Sequence, residues 1–416
     1  MSKILLVILL IVAVGPFVEV LADPEPDLIS ILGDSFASSA RYFTKTVGNI
    51  LNIKNPVKPT LCGLRTNELI EHYGYEAEEH KIITEDGYML TVFRCNSKRP
   101  AFSRKKAVIL QHGLLSSSDD YCVNIPEQAL PYILADAGYD IWLENSRGNI
   151  YSRQHIIKNP DMPSSGFWDF SWYEMGIYDH PAVIDYILKE TGNEKLYFVG
   201  HSQGTTSIMV LLSEKPEYNA KIYAASLMAP VGYMNNSDWM LRSLTLARPF
   251  LELYKNIEFL PRETVMGLPA SFCDIDLTNF CDNMINLISG PSDSQRNNTM
   301  LPSLICHTPS GASINQFLHY GLEIRYGYFG KYMEGMEVPS DFELWRITTP
   351  ISLHFSPADK LATWHDVQRL IPQLSNSLAY TQIINEKDFN HVDFIWGIDS
   401  ASLIYPKIKW FFEKFQ

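Results

Sequence analysis

Basic residues are in short supply: 34 Lys and Arg stand against 47 Asp and Glu, a formal charge of −13. Binding a polyphosphate chain needs a basic face, so this balance argues against a nucleic-acid partner. The chain contains no C-x-x-C and no H-E-x-x-H, the commonest zinc-site patterns, so a metal centre is not expected. It has no internal repeats and no low-complexity tracts. Past the N-terminus no stretch reaches roughly 18 uninterrupted apolar residues, so no later segment reads as a membrane span.

What is present is a chain of 416 residues, 46% hydrophobic and 12% aromatic, which excludes a disordered or coiled-coil reading. That length suits one large domain with an insertion. The opening residues MSKILLVILLIVAVGPFVEVLA place one Lys before an apolar run from Ile4 to Val14, and Val20-Leu21-Ala22 ends on small residues. Residues 1–22 are therefore expected to be a cleaved secretory signal. Its removal deletes Lys3 and Glu19 and leaves the charge unchanged. Residues 23–60 form an N-terminal extension: a surface helix, a pro-segment or a lipid-touching arm. In a secreted chain the six cysteines (Cys62, Cys95, Cys122, Cys273, Cys281, Cys306) permit disulfides, and the short Cys273–Cys281 spacing ranks that pair first. Asn235-Asn236-Ser237 and Asn297-Asn298-Thr299 are glycosylation sequons.

From His80 to Cys95, two alternating runs flank Glu85-Asp86-Gly87, a hairpin signal. Short apolar runs at 107–111, 139–143, 196–199, 223–227 and 351–355 read as buried strands. Helix-patterned segments at 126–137, 174–189, 203–213 and 364–371 separate most of them. Alternating strands and helices predict a mainly parallel sheet covered on both faces. Between about 231 and 347 the rhythm breaks. That stretch is rich in Met, Phe, Leu and Trp, shows no clear strand, and reads as a mostly helical insertion over the sheet.

The pentapeptide Gly200-His201-Ser202-Gln203-Gly204 follows the strand Leu196–Val199 and opens the helix-like segment Thr205–Leu212. A bare G-x-S-x-G arises by chance in about one of seven chains of this length. In a strand–turn–helix context it reads as a nucleophile elbow, with Ser202 as candidate nucleophile. A serine hydroxyl needs a neighbouring base, and the base an orienting carboxylate. In this chain order the acid precedes the base. Five histidines follow Ser202: His307, His319, His354, His365 and His391. His391 lies in a loop after the strand-like run 380–384, where the base should hang; His354 sits inside an apolar strand. Asp359 directly follows strand 351–355 on the same sheet edge and is the candidate acid, although an Asp there also caps a helix well. Asp388 and Asp393 stand too close to His391 in the chain to fold back onto its ring. The oxyanion needs two backbone N–H groups: Gln203, after the nucleophile, and Leu114, in the His112-Gly113-Leu114 loop after an early strand. One such donor is worth about 3 kcal/mol of transition-state stabilisation.

With these motifs placed, the chain resembles the acid lipase family, the gastric and lysosomal type of α/β-hydrolase. The resemblance rests on TEDGYMLTVFR (84–94), LQHGLLSSS (110–118), ILADAGYDIWLENSRGN (133–149), FWDFSWYEMGIYDHPAVIDYI (167–187), VGHSQGT (199–205), ADKLATWHDV (358–367) and FNHVDFIWGIDS (389–400). It implies an α/β-hydrolase core over 61–230 and 348–416 and a mobile cap over 231–347. It also implies Ser202, Asp359 and His391 as nucleophile, acid and base, with Leu114 and Gln203 as oxyanion donors. Glu144 departs from the family, where Gly is common at this place, and the insertion matches only loosely beyond Cys273/Cys281 and residues 307–313. The expectation is a secreted or lysosomal lipase that hydrolyses neutral lipid esters, triacylglycerols or sterol esters, at a lipid–water interface without metal or cofactor. Two alternatives are a carboxylesterase for small soluble esters and a non-catalytic lipid carrier.

Overall fold

The structure is a computed structural model that describes residues 61–97, 105–237, 248–262, 292, 294–333, 335 and 337–416. The expected signal over 1–22, the extension over 23–60, and both Cys273 and Cys281 lie outside the described residues.

The strands that read as uninterrupted apolar runs form the centre of one eight-stranded sheet. In chain order they are β1 (Glu76–Ile83), β2 (Met89–Asn96), β3 (Ala107–Gln111), β4 (Asp140–Glu144), β5 (Leu196–His201), β6 (Ile222–Met228), β9 (Ile351–Phe355) and β10 (Leu378–Ile383). Their spatial order is β1-β2-β4-β3-β5-β6-β9-β10. From β4 to β10 every neighbouring pair is parallel, while β1 and β2 join one edge antiparallel. β3, β4, β5 and β9 are buried along their whole length, as parallel strands covered on both faces must be. β10 alternates half-buried and exposed positions because it closes the sheet edge.

The covering helices follow from the apolar spacing and from proline and glycine punctuation. α1 is Thr66–His72, α2 Leu130–Asp136, α3 His180–Thr191, α4 Gln203–Glu214, α5 Ile314–Tyr326, α6 Trp364–Leu370 and α7 Tyr405–Lys414. α2 begins at Leu130, later than the apolar pattern from 126 suggests, with Pro131 in its first turn where no intrahelical N–H is required. α3 continues a helical run that starts at Trp172, capped by Ser171 and Glu174, and it ends at Gly192 in the left-handed conformation. α7 is fastened to the core by Tyr197, whose ring stacks on Phe412 and whose hydroxyl donates to the Phe412 and Phe415 carbonyls.

The insertion departs from the reading that it lacks strands. A two-stranded antiparallel ladder pairs β7 (Glu258–Phe259) with β8 (Ala312–Ser313). Two-residue strands carry no alternation to detect, so only the tertiary pairing reveals them. The insertion also shares the main core: Tyr320, Ile324, Phe329 and Phe342 pack into the same apolar cluster as the sheet. Among the described residues no helix is long and apolar enough to cross a membrane.

In the sheet order the chain leaves β3 toward β4 and returns across it to β5. The crevice beyond the carboxyl ends of β3 and β5 is thus the topological switch point, where α/β sheets place ligands. Both sequence motifs, the His112-Gly113-Leu114 loop and the Ser202 turn, sit at those two strand ends.

Candidate active site

Ser202 joins β5 to α4 with φ 53° and ψ −121°, a strained backbone for a residue with a side chain. The turn is held by Ser202 N–H on the Met228 carbonyl at 3.1 Å and by Thr205 N–H on the Ser202 carbonyl at 2.8 Å. Both motif glycines are steric necessities. A Cβ on Gly200 would stand 2.8 Å from Gly204 C, and one on Gly204 would stand 2.6 Å from Gln111 O. The tight turn lifts Ser202 out of the interior, and it is half-buried between fully buried neighbours.

The structure brings the three side chains expected to act together into one line. His391 Nε2 lies 2.7 Å from Ser202 Oγ, and His391 Nδ1 lies 2.9 Å from Asp359 Oδ2. The second Asp359 oxygen accepts from the N–H groups of Leu361 and Ala362 at 2.8 and 2.9 Å. These two bonds close a turn before α6, whose cap is Thr363, so Asp359 is not the helix cap that the sequence also allowed. With Nδ1–H directed at Asp359, Nε2 is free to accept the serine proton. Asp393 turns away from the ring: its Oδ2 accepts from Asn390 N–H at 2.6 Å and from Ser292 Oγ at 2.5 Å. His354 is an interior residue bonded to Ser352 and Gln382, and His365 opens α6. His319 stacks on Trp172 in the core, and His307 is buried against Asp119.

The loop after β3 approaches the serine closely. A Cβ on Gly113 would meet Ser202 Cβ at 3.0 Å and Oγ at 3.4 Å. Leu114 follows it, half-buried against the core. Gln203 is the first residue of α4, so its N–H is one of the donors a helix N-terminus leaves without an internal partner. His112 stiffens this loop: its Nδ1–H donates to the Gly113 carbonyl at 2.7 Å and its Nε2 accepts Ser146 N–H at 3.1 Å. Burial holds its pKa down at about 4, so the ring stays neutral and keeps that donor–acceptor pattern.

The insertion is fastened to the same loops. Ser310 N–H donates to the Leu115 carbonyl at 2.8 Å, and Gln203 Nε2 donates to Gln316 Oε1 of α5 at 2.8 Å. Arg262 Nη2 donates to Ser117 Oγ at 3.1 Å and to Ser310 Oγ at 2.6 Å. Asp119, behind the loop, is fully buried; although burial alone would raise its pKa, His307 and Arg262 hold it well below the carboxylate range.

Three features gave no sequence signal because each is a pairing across long separations. Among the described residues one disulfide, Cys62–Cys306, joins positions 244 residues apart, while Cys95 and Cys122 are free and buried. His201 reaches the main chain of His391. A second Ser–His–carboxylate set, Ser207, His180 and Glu144, is buried beneath α4, with His180 Nδ1 3.0 Å from Glu144 and Nε2 2.8 Å from Ser207 Oγ. Glu144, the departure noted in the sequence, thus has a specific partner. Of the two sequon asparagines, Asn235 is half-buried, accepts from Arg369 and packs against Gly327, whereas the Asn297 side chain accepts from Thr299. Among the described residues no group of three or more His, Cys, Asp or Glu could hold a metal ion.

Residues 66–125 match the family described as "Partial alpha/beta-hydrolase lipase region", and residues 106–254 match "alpha/beta hydrolase fold". The chain is 36% identical to Lipase 3 of Drosophila melanogaster over 381 residues, spanning 87% of this chain and 94% of that protein. It is 34% identical to gastric triacylglycerol lipase of Bos taurus over 384 residues, 85% of this chain and 91% of that protein. With the human gastric triacylglycerol lipase the identity is 32% over 398 residues, 92% and 96% of the two chains. Among solved structures, a protein from Sulfolobus solfataricus shares the fold at TM-score 0.57 and 14% identity, covering 82% of this chain and 95% of its own.

Proposed function

The chain belongs to the gastric and acid lipase family of α/β-hydrolases and is an ester hydrolase, and we propose that it cleaves neutral lipid esters through an acyl-enzyme on Ser202. The observation that carries this reading is the unbroken contact from Ser202 Oγ through His391 to Asp359, at 2.7 and 2.9 Å. His391 takes the serine proton as Ser202 Oγ attacks the ester carbonyl. The N–H groups of Leu114 and Gln203 stabilise the oxyanion. The tetrahedral intermediate collapses, the C–O bond to the alcohol breaks, and His391 returns its proton to the leaving alkoxide. A water molecule then attacks the acyl-enzyme with His391 again as base, and the fatty acid leaves. Asp359 fixes the histidine tautomer and stabilises the imidazolium.

We assign residues 231–347 as a cap that covers the serine and supplies apolar surface for acyl chains. Long-chain triacylglycerol or sterol ester at a lipid–water interface is the substrate this cap suits. Passage through the secretory pathway, with residues 1–22 as leader and Asn235 and Asn297 as glycan acceptors, completes the proposal. The test compares hydrolysis of dispersed long-chain triacylglycerol and sterol ester with that of short monomeric esters, for the wild type and Ser202→Ala. A lipase gives the higher rate on the dispersed long-chain substrates, and Ser202→Ala abolishes every rate. High rates on monomeric esters alone favour the carboxylesterase, and an inactive wild type favours the carrier.

A further inference from the structure

The residue before the nucleophile ends β5 with its side chain turned inward, 6% exposed. His201 Nε2 lies 2.7 Å from the backbone carbonyl oxygen of His391. A carbonyl oxygen only accepts, so Nε2 carries the proton of this bond. Burial pushes the His201 pKa down to about 3, so the ring is neutral well above that pH. The two imidazoles stand 5.0 Å apart between centroids and are inclined at 45°. On its other side the ring borders the oxyanion loop, since a Cβ on Gly113 would lie 3.4 Å from His201 Nδ1. One side chain therefore touches the main chain of the base, adjoins the nucleophile in sequence, and backs the glycine of the oxyanion loop.

The loop carrying His391 has other supports on both sides of the ring. Asn390 N–H donates to Asp393 at 2.6 Å, and Val392 N–H donates to the Asn390 side chain at 3.0 Å. Those bonds fix residues 390, 392 and 393, whereas the bond from His201 fixes residue 391 itself. Its action is therefore on where the imidazole stands, and the expected effect falls on kcat rather than on KM.

We propose that His201 is a positioning residue for the acyl-transfer reaction: by holding the His391 carbonyl, it sets the place of the base relative to the Ser202 hydroxyl. This rests on the roles proposed above for Ser202 and His391. Loss of the bond lets the base drift, and displacements near 1 Å cost on the order of 100-fold in rate. Drift also loosens the contact between His391 and Asp359, which weakens stabilisation of the imidazolium and moves the acid limb of kcat/KM to lower pH.

The test uses the mature protein on a short monomeric ester, with four variants: His201→Leu, His201→Asn, His201→Gln and Ser202→Ala. Expected is a 10- to 100-fold fall in kcat for His201→Leu and His201→Asn, with KM within twofold and the acid limb moved to lower pH. His201→Gln, whose amide reaches a similar distance and still donates, keeps kcat within about fivefold of wild type and leaves the acid limb in place. Melting temperatures separate positioning from folding, because a purely structural role moves stability without splitting kcat from KM and without rescue by Gln. If His201→Leu does not fold, the Asn and Gln pair carries the same comparison. Wild-type kcat and acid limb in His201→Leu or His201→Asn would overturn the inference, as would equal damage from Gln and Asn. Activity surviving in Ser202→Ala would instead overturn the assignment of the nucleophile.

Discussion

Ser207 and His180 are hydrogen-bonded at 2.8 Å in the closed interior, and His180 contacts both Glu144 oxygens at 3.0 Å. The arrangement reproduces the atoms of a catalytic triad where no ester can arrive: His180 is 1% exposed and Glu144 not at all. Its work is to join β4, α3 and the first turns of α4. Ser207→Ala is therefore expected to keep wild-type kcat while lowering stability by about 1–2 kcal/mol, the loss of one buried hydrogen bond. His180→Leu leaves the Glu144 carboxylate buried without its partner and should cost about 3–5 kcal/mol. Denaturant titration read beside ester hydrolysis checks both, and a Ser207→Ala enzyme with tenfold lower kcat would contradict the assignment.

The backbone strain at Ser202 predicts opposed effects on stability and activity. A positive φ at a non-glycine residue costs about 1–3 kcal/mol. Ser202→Gly should be inactive yet melt above Ser202→Ala, because glycine adopts φ 53° freely. Gly204→Ala should instead lower both activity and stability, since its Cβ would meet Gln111 O at 2.6 Å and His112 O at 3.0 Å. Those are backbone atoms of the strand beside the oxyanion loop, so they cannot swing aside. A loss of more than tenfold in kcat with a lower melting temperature is expected, and wild-type values would contradict it.

How much of this was legible in the residues depended on range. The sheet strands, the covering helices and the elbow declare themselves through local apolar runs and glycine spacing, and the extra strands in the insertion are too short to do so. The Ser202, Asp359 and His391 choice was reachable because this fold fixes chain order and strand-end loops. Pairings such as Cys62 with Cys306, or Glu144 with His180, leave no local trace. The first ranking of Cys273 with Cys281 rested on spacing alone, and it concerns residues outside those described. His201 carries no signal in the motif because its partner is a backbone carbonyl, which no side-chain pattern records.

The Cys62–Cys306 bridge ties the chain just before α1 to the insertion segment whose Ser310 binds the oxyanion loop. Closing a loop of 244 residues restrains the unfolded chain strongly, and removing such a bridge typically costs about 2–5 kcal/mol. The double variant Cys62→Ser with Cys306→Ser should melt about 5 °C or more below wild type. An unchanged melting temperature would show that the bridge does not restrain the fold.

One contribution to stability is expected to fall as the solution is made more alkaline toward neutrality. Burial pushes the Asp393 carboxyl up to about 7 in the folded protein, far above its value in an unfolded chain. The folded state therefore holds a proton that the unfolded state has released, so this contribution is complete below about pH 4 and is lost as pH rises through about 7. Asp120, pushed up by burial to about 6, acts in the same direction. Asp393→Asn keeps an acceptor for Asn390 N–H and lacks this contribution, so its melting temperature should gain on that of the wild type as pH rises from 5 to 8. A difference between the two that does not change with pH would contradict this source.

Two serines beside imidazoles, Ser202 and Ser207, lie on one short stretch of chain, so the most direct test is to find which of them reacts. Mature protein treated with a fluorophosphonate and digested should carry the adduct on Ser202, with labelling lost in Ser202→Ala, retained in Ser207→Ala and slowed at least 100-fold in His391→Ala. An adduct on Ser207, or ester hydrolysis persisting in Ser202→Ala, would contradict the account.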